Sequence, residues 1–188
     1  MDTVINTTLP SVIENERLEP TRLSDFIFEY KDKIIGIKIK GKAEYTEGFM
    51  SGLSNVKRFS DCSEQTNNPD ATVFYCTLVF PNLEANHKGK VKYGKLPKIT
   101  ISAKENVQNV VITVGIVKYA NKSNPEVESF WFKTTGLMTP HFTGLGPLNK
   151  QMEILEENYK QVVGIEVLDV IQDKFWPALN QAVASIPI

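Results

Sequence analysis

The chain has 188 residues, of which 41% are hydrophobic, and 21 Lys or Arg stand against 22 Asp or Glu for a net charge of -1. That content buries one sizeable core and favours a single domain over 1–188, excluding a disordered tail, while the balanced charge argues against a nucleic-acid-coating protein. The 11 Gly and 10 Pro are ordinary globular usage, and no run approaches the ~18 apolar residues of a membrane-spanning helix, since Glu166 and Asp169 interrupt the densest stretch.

Val4, Ile5, Leu9, Val12 and Ile13 recur at helical spacing, and Pro10 predicts a short N-terminal helix that is kinked or starts near Thr8. Residues 18–23 form a connector, after which the period becomes two. Over 33–42, Ile35, Ile37 and Ile39 alternate with Gly36, Lys38 and Lys40, the pattern of a strand with one buried and one wet face. Further strands are predicted near 48–59, 72–80, 88–93, 98–103, 110–119 and 127–136. Phe74, Leu78 and Phe80 share one side of their strand, and Val110, Ile112, Val114 and Ile116 share one side of theirs. The polar stretches 63–71 and 121–125 read as hairpin loops.

After Gly144-Leu145-Gly146-Pro147 a helical stripe runs through Leu148, Met152, Leu155, Tyr159, Val162, Ile165 or Val163, Leu168, Ile171, Phe175 and Leu179. About 35 helical residues reach roughly 50 Å. Over 162–171 the helix is apolar on most sides, which predicts burial all round, and Pro177 is expected to kink or restart it. The predicted fold class is α+β.

Residues facing each other across a hairpin keep a constant sum of numbers, and Cys62 with Cys76 centres such a hairpin on Pro69. A bridge closing a ~15-residue loop contributes roughly 3 kcal/mol in the chain-entropy model. Strand parity opposes it, placing Cys76 with Phe74 and Leu78 but Cys62 with Ser60 and Arg58, unless a bulge intervenes. A disulfide and two free thiols both remain open. Asn6-Thr7-Thr8 and Asn121-Lys122-Ser123 are glycosylation acceptor patterns at Asn6 and Asn121. Together with paired cysteines they point to a secreted protein, although no leader is visible at Met1-Asp2, so export implies one removed ahead of it.

From His87 to Lys104 the chain holds Lys88, Lys90, Lys92, Lys95, Lys98 and Lys104 with no acid. One reading is a basic hairpin that meets an anionic lipid surface; the plainer one is the wet face of a strand on which lysine deters edge pairing. Chemistry for catalysis is sparse. His87 and His141 stand in no zinc-binding spacing, no Gly-x-Ser-x-Gly elbow accompanies them, and no phosphate-binding glycine loop occurs. No catalytic residue, metal site, cofactor or nucleic-acid partner is expected, and Glu156-Glu157 read as the wet face of the long helix. A lipocalin-like barrel is disfavoured because Trp131 and Trp176 both lie late, leaving no early Gly-x-Trp.

Three segments carry a resemblance: Ile34-Ile35-Gly36-Ile37-Lys38-Ile39-Lys40-Gly41, Gly52-Leu53-Ser54-Asn55-Val56-Lys57-Arg58, and Phe175-Trp176-Pro177-Ala178-Leu179. With the order of helix, many strands and one long final helix, the chain resembles the group 7 mite allergens. These are single-domain relatives of the tubular lipid-binding (TULIP) proteins, which include the bactericidal permeability-increasing and juvenile-hormone-binding families. The N-terminal helix looks shorter than the family's, and the cysteine pair is not part of its pattern.

The resemblance implies a strongly curved antiparallel sheet wrapped around the C-terminal helix, with a fatty acid, lipid or other apolar small molecule held between them. The residue pattern agrees, since an apolar sheet face opposing an apolar helix either packs solid or leaves an elongated cavity. The candidate ligand-binding residues are Ile35, Ile37 and Ile39, then Phe74, Leu78 and Phe80, then Ile112, Val114 and Ile116. The helix adds Met152, Leu155, Tyr159, Val162 and Leu168. For each of them plain core is the competing assignment. Tyr45, Tyr93 or a lysine of the basic hairpin are candidate polar anchors.

Overall fold

The computed structural model describes residues 1–34, 37–68 and 70–186, and their side chains except those of 33, 34, 37 and 66–68. The N-terminal helix opens with a π-helical turn, Val4–Thr8, and continues as α1, Leu9–Asn15. A cis Glu19-Pro20 bond precedes β1, Thr21–Leu23. β2, Phe26–Ile34, turns back as β3, Ile37–Ser51, and a 3₁₀ turn at Leu53–Asn55 leads to β4, Lys57–Arg58, and β5, Ser63–Asn68. Two long strands follow, β6 at Ala71–Tyr93 and β7 at Ile99–Tyr119, then β8 at Glu126–Thr134 and β9 at Leu137–Thr143. The chain closes with α2, Met152–Val170, a π-helical turn at Ile171–Phe175, and α3, Trp176–Ala184.

Among the described residues the nine strands form one antiparallel sheet ordered β1-β3-β6-β7-β8. The antiparallel ribbon of β6 and β7 is its spine, and at ~3.3 Å per residue the 23 residues of β6 extend roughly 75 Å. Each outer edge of that spine is shared by shorter strands. β3 covers one end of β6 while β4 and β5 cover the other, and β9 covers one end of β7 while β8 covers the other. α2 lies against β9 and β7, and α3 lies against β8 and α1. Gly164 lets α2 approach closely, because a Cβ there would come 2.5 Å from the sulfur of Met138 on β9.

Two strands take the place of four predicted ones, and the side-chain period explains why. In β6 the buried set runs Cys76, Leu78, Phe80 and then Leu83, Ala85, His87; in β7 it runs Ala103, Glu105, Val107 and then Val110, Ile112, Val114. Both parities flip at the same level, where Pro81 and Asn109 drop out of an otherwise continuous register and Asn109 takes a φ of 57°. An extra residue on each strand at one level bends the ribbon without breaking it. Period-two reading therefore sees an ending where the chain only changes face.

Other boundaries also shift. The segment predicted as a strand over 33–42 contains the reversal between β2 and β3, with Ile34 paired to Ile37, and Ile35 and Gly36 lie outside the described residues. The predicted strand over 48–59 ends at Ser51, because Gly52 at φ 106° starts the 3₁₀ turn. Both helices meet a proline in the same way. The π-helical turns before Leu9-Pro10 and Trp176-Pro177 widen the helix, where an α-turn would drive the ring into the carbonyl four residues back. The final helix is thus continuous in path, with its register changed at Ile171–Phe175.

Candidate functional site

The inner face of the sheet has two dissimilar ends. At the end near the β2–β3 hairpin, rings fill the space. Tyr45 stacks on Phe26 at 4.8 Å and meets Tyr159 of α2 at 4.9 Å, and Phe142 of β9 meets Tyr159 at 5.4 Å. His87 joins them edge-on, its Nδ1 2.8 Å from the Tyr159 hydroxyl, with its ring lying over Gly48, where any Cβ would collide with it. Burial pushes the His87 pKa down against the charge of Glu166, the backbone of Ser24 and the charge of Asp25. Burial also raises the Tyr159 and Tyr45 hydroxyls, and that of Tyr30 to about 12.

Glu105 shares this interior. It is fully buried beneath α2, and among the described residues neither carboxylate oxygen meets hydrogen-bond geometry. Burial lifts its pKa to about 7, while the charge of Lys160 and the nearby backbone of Thr139 pull it down. Closer to the hairpin, Asp32 accepts bonds from the Tyr93 hydroxyl at 2.8 Å and the Gln151 amide at 3.1 Å.

At the opposite end the inner face is mostly aliphatic, with Phe74 and Phe80 among its side chains, and a crevice of about 360 Å³ opens to the surface. Its walls come from β6 through Phe74, from β7 through Ile116, from the end of the C-terminal helix through Val183 and Ile186, and from the N-terminal helix through Val4. The fifth wall is the disulfide between Cys62 and Cys76, whose Cα atoms are 4.3 Å apart. Ser63 pairs with Tyr75, so one residue further Cys62 stands opposite Cys76, and the register slip of this hairpin falls between Gln65 and Asn68, beyond the bridge. Phe130 of β8 stacks on Trp176 at 5.3 Å, and the Asn180 side chain accepts a 2.7 Å bond from the Val127 N–H, fixing α3 to β8.

The predicted ligand residues divide accordingly. Phe74 and Ile116 line the crevice. Leu78, Phe80, Ile112, Val114, Leu155 and Tyr159 are fully buried among core side chains, with Phe80 edge-on to Phe175 at 4.8 Å. Ile39, Met152 and Leu168 are partly buried against that core. Val162 departs from the predicted inward stripe: it is 37% exposed and Ile165 64%, while Val163 and Val167 are buried. Burial of the helix on all sides is therefore corrected, because the sheet wraps one side of α2 and leaves the other to solvent. Ile35 and the side chain of Ile37 lie outside the described residues.

Lys88, Lys90, Lys92 and Lys95 are exposed. Several cations of the stretch are matched by acids: Lys88 with Glu47 at 2.6 Å, Lys98 with Glu44, and Lys104 with Glu84. The pairing of β2 with β3 sets Lys31 opposite Lys40, and that of β3 with β6 sets Lys42 opposite Lys92, around a surface cleft of about 480 Å³ that Glu29 also lines. Sequence reasoning missed Lys31, Lys40 and Lys42, because only pairing joins distant lysines on one face. It also missed Val4, Val183 and Ile186. Glu105 was legible, since it alternates with the inward Ala103 and Val107. Asn6 and Asn121 are exposed.

A model of the Group 7 allergen family matches residues 1–182. The chain belongs to the Group 7 allergen family. The fold of this family member is the TULIP type. It superposes on the crystal structure of a lipopolysaccharide binding protein with a TM-score of 0.50 at 18% identity, covering 95% of this chain and 38% of that one. The chain thus spans under two-fifths of that protein's length. Takeout 1 of Epiphyas postvittana aligns with a TM-score of 0.47 at 16% identity, over 100% of this chain and 92% of that one. No curated protein matches the sequence. No helix among the described residues is long and apolar enough to cross a membrane.

Proposed function

We propose that this Group 7 family member is a non-enzymatic binder of lipid-like apolar ligands, acting as a single domain over 1–188, and that the crevice at its aliphatic end is where they enter. The observation that carries this reading is the apolar crevice of about 360 Å³ beside Phe74, Ile116 and Val183. Wells of this size and lining take up ligands by burying apolar surface, at about 25 cal/mol per Å² removed from water. The related structure named for binding lipopolysaccharide supports the ligand class. Cys76 with Val114, then Leu78 with Ile112, follow Phe74 and Ile116 inward on the same face, so a longer chain would advance toward them. A secreted setting is supported by the disulfide, a bond that persists in oxidising compartments, and by the exposed acceptors Asn6 and Asn121.

Native mass spectrometry of protein purified from a eukaryotic host, with displacement of a fluorescent apolar dye, tests the proposal. Bound lipid and dye displacement are expected, and both are expected to disappear in Val183→Trp, where the larger ring fills the crevice. Absence of lipid and dye from the wild type contradicts it.

A second reading is favoured by the lysine-lined cleft at the other end, which suits an anionic lipid surface. Replacing Lys31, Lys40 and Lys92 by Gln separates the two readings: a crevice binder keeps its ligand, whereas a surface binder loses retention on vesicles containing phosphatidylserine.

A further inference from the structure

We propose that the outer face of the sheet, at its crevice end, docks on a bilayer of zwitterionic lipid of the phosphatidylcholine type. This goes beyond ligand binding in the crevice and stands on the opposite face of the sheet.

The outer face changes character along the spine. Toward the β2–β3 hairpin the outward positions of β6 carry Glu84, Asn86, Lys88, Lys90 and Lys92. At the crevice end, alternation with the inward Cys76, Leu78, Ile112 and Val114 turns outward every second residue from Val73 to Val79 on β6 and from Val111 to Val117 on β7. These positions hold only Val, Tyr, Thr and Gly, where a wet sheet face ordinarily carries polar and charged residues. Register sets Phe59, Thr77, Thr113 and Trp131 in one row across the sheet. The Phe59 N–H donates to the Thr77 carbonyl at 2.8 Å, Thr77 pairs with Thr113, and Thr113 pairs with Trp131. At the two ends of the row Phe59 is 64% exposed and Trp131 42%. Tyr75 reaches across Gly115 to meet Trp131 at 5.9 Å, in space that a Cβ on Gly115 would crowd at 3.1 Å from the Tyr75 ring.

Size and chemistry decide the partner. At ~4.8 Å between strands and ~3.3 Å per residue the patch measures roughly 20 by 20 Å. The resulting ~400 Å² is half the ~800 Å² that each partner of a standard protein interface buries, too little for a second copy of this chain. Trp and Tyr carry an apolar body and a polar tip and settle at the level of lipid headgroups. Around them the charges are of both signs. Lys57 pairs with Val79 and Lys133 lies two residues beyond Trp131, while Arg58 holds Asp61, Lys122 holds Glu126 at 2.8 Å and the Tyr119 hydroxyl donates to Glu128 at 3.2 Å. Such a rim complements a headgroup that bears a phosphate and an ammonium together. A hollow of about 260 Å³ lined by Tyr75, Tyr119 and Glu128 presents ring faces and a carboxylate, groups that receive a quaternary ammonium. The Lys122 ammonium already lies over the Tyr119 ring at 4.7 Å.

Flotation with vesicles of phosphatidylcholine alone, in physiological salt, tests this, since a neutral bilayer leaves the lysine-lined cleft without its partner. The wild type is expected to float with the vesicles, and Phe59→Ser with Trp131→Ser to lower its partitioning at least tenfold while keeping the crevice's dye binding. Val183→Trp, which fills the crevice, is expected to float as the wild type does. Phosphatidylcholine brominated on its acyl chains is expected to quench the tryptophan emission of the wild type, and Trp131→Phe to remove most of that quenching. A wild type that stays off the vesicles yet binds dye overturns the docking face and leaves the crevice reading standing. Flotation undiminished in the double variant, or quenching unchanged in Trp131→Phe, overturns it too. So does a stable dimer in light scattering that the double variant separates into monomers, which would give the face to a second copy.

Discussion

The same ribbon of β6 and β7 builds two unlike interiors. Near the β2–β3 hairpin its inward positions carry or face Tyr45, His87, Glu105, Phe142 and Tyr159, and the ring centroids lie 4.9 to 6.4 Å apart. Beyond the bend at Pro81 and Asn109 they carry mostly aliphatic side chains, Leu78, Ile112, Val114 and Ile116, together with Cys76, Phe74 and Phe80, and Val183 of the C-terminal helix lines the crevice with Phe74 and Ile116. Rings pack the first of these, and the contact between His87 Nδ1 and the Tyr159 hydroxyl ties two of them together. Smaller branched side chains make up most of the second, and where that layer ends beside Phe74 and Ile116 the crevice is open. One architecture thus yields a closed end packed against the helix and an end with an open crevice.

The largest effect should separate the two ends by stability. Tyr45→Ala removes a fully buried ring and is expected to cost about 3–5 kcal/mol in urea unfolding, whereas Ile116→Ala, beside space that is already open, should cost about 1–2 kcal/mol. Similar losses at both sites would mean that the aliphatic end is packed as tightly as the aromatic one. Removing the bridge with Cys62→Ser and Cys76→Ser should lower stability by roughly 3 kcal/mol, since the closed loop is short. Dye affinity should fall as well, because the sulfurs are part of the crevice wall.

Glu105 gives the closed end a pH dependence. Its folded pKa of about 7 lies above the ordinary 4.5, so the folded chain keeps a proton that the unfolded chain releases between those values. Stability from this group is complete below pH ~4.5 and is lost as pH rises through 7. Glu105→Gln should flatten that limb and raise stability at pH 7.5 by on the order of 1–3 kcal/mol, measured by urea unfolding at several pH values. His87 acts on the other limb. Its depressed pKa means that folding stability is lost as pH falls through the ordinary histidine range, and this should persist in Glu105→Gln. The smallest effect is expected for Tyr159→Phe, about 1 kcal/mol, because the ring remains and only the bond to His87 Nδ1 is lost.

Much of this architecture was legible in the sequence because alternation marks the inward face wherever pairing is regular. Val110, Ile112, Val114 and Ile116 fall on one face as their spacing requires. Pro81 and Asn109 misled the reading, since a face change in both strands at one level resembles two strand endings. The pairing deduced for Cys62 and Cys76 matches the register of Ser63 with Tyr75, the slip between Gln65 and Asn68 moves the turn off the predicted centre, which lies outside the described residues, and parity failed because Cys62 lies just before β5 begins. The crevice could not be read from period, since it depends on how the two termini close over the end of the sheet. Val4, Val183 and Ile186 meet there from segments at opposite ends of the chain.

The most direct test of the crevice as the entry point is a titration of 1-monolauroylglycerol followed by methyl-labelled NMR. Shifts are expected to concentrate at Val4, Ile116 and Val183, with Val91 and Ile101 of the aromatic end unmoved. Shifts centred on Val91 and Ile101, with Val183 silent, would contradict it.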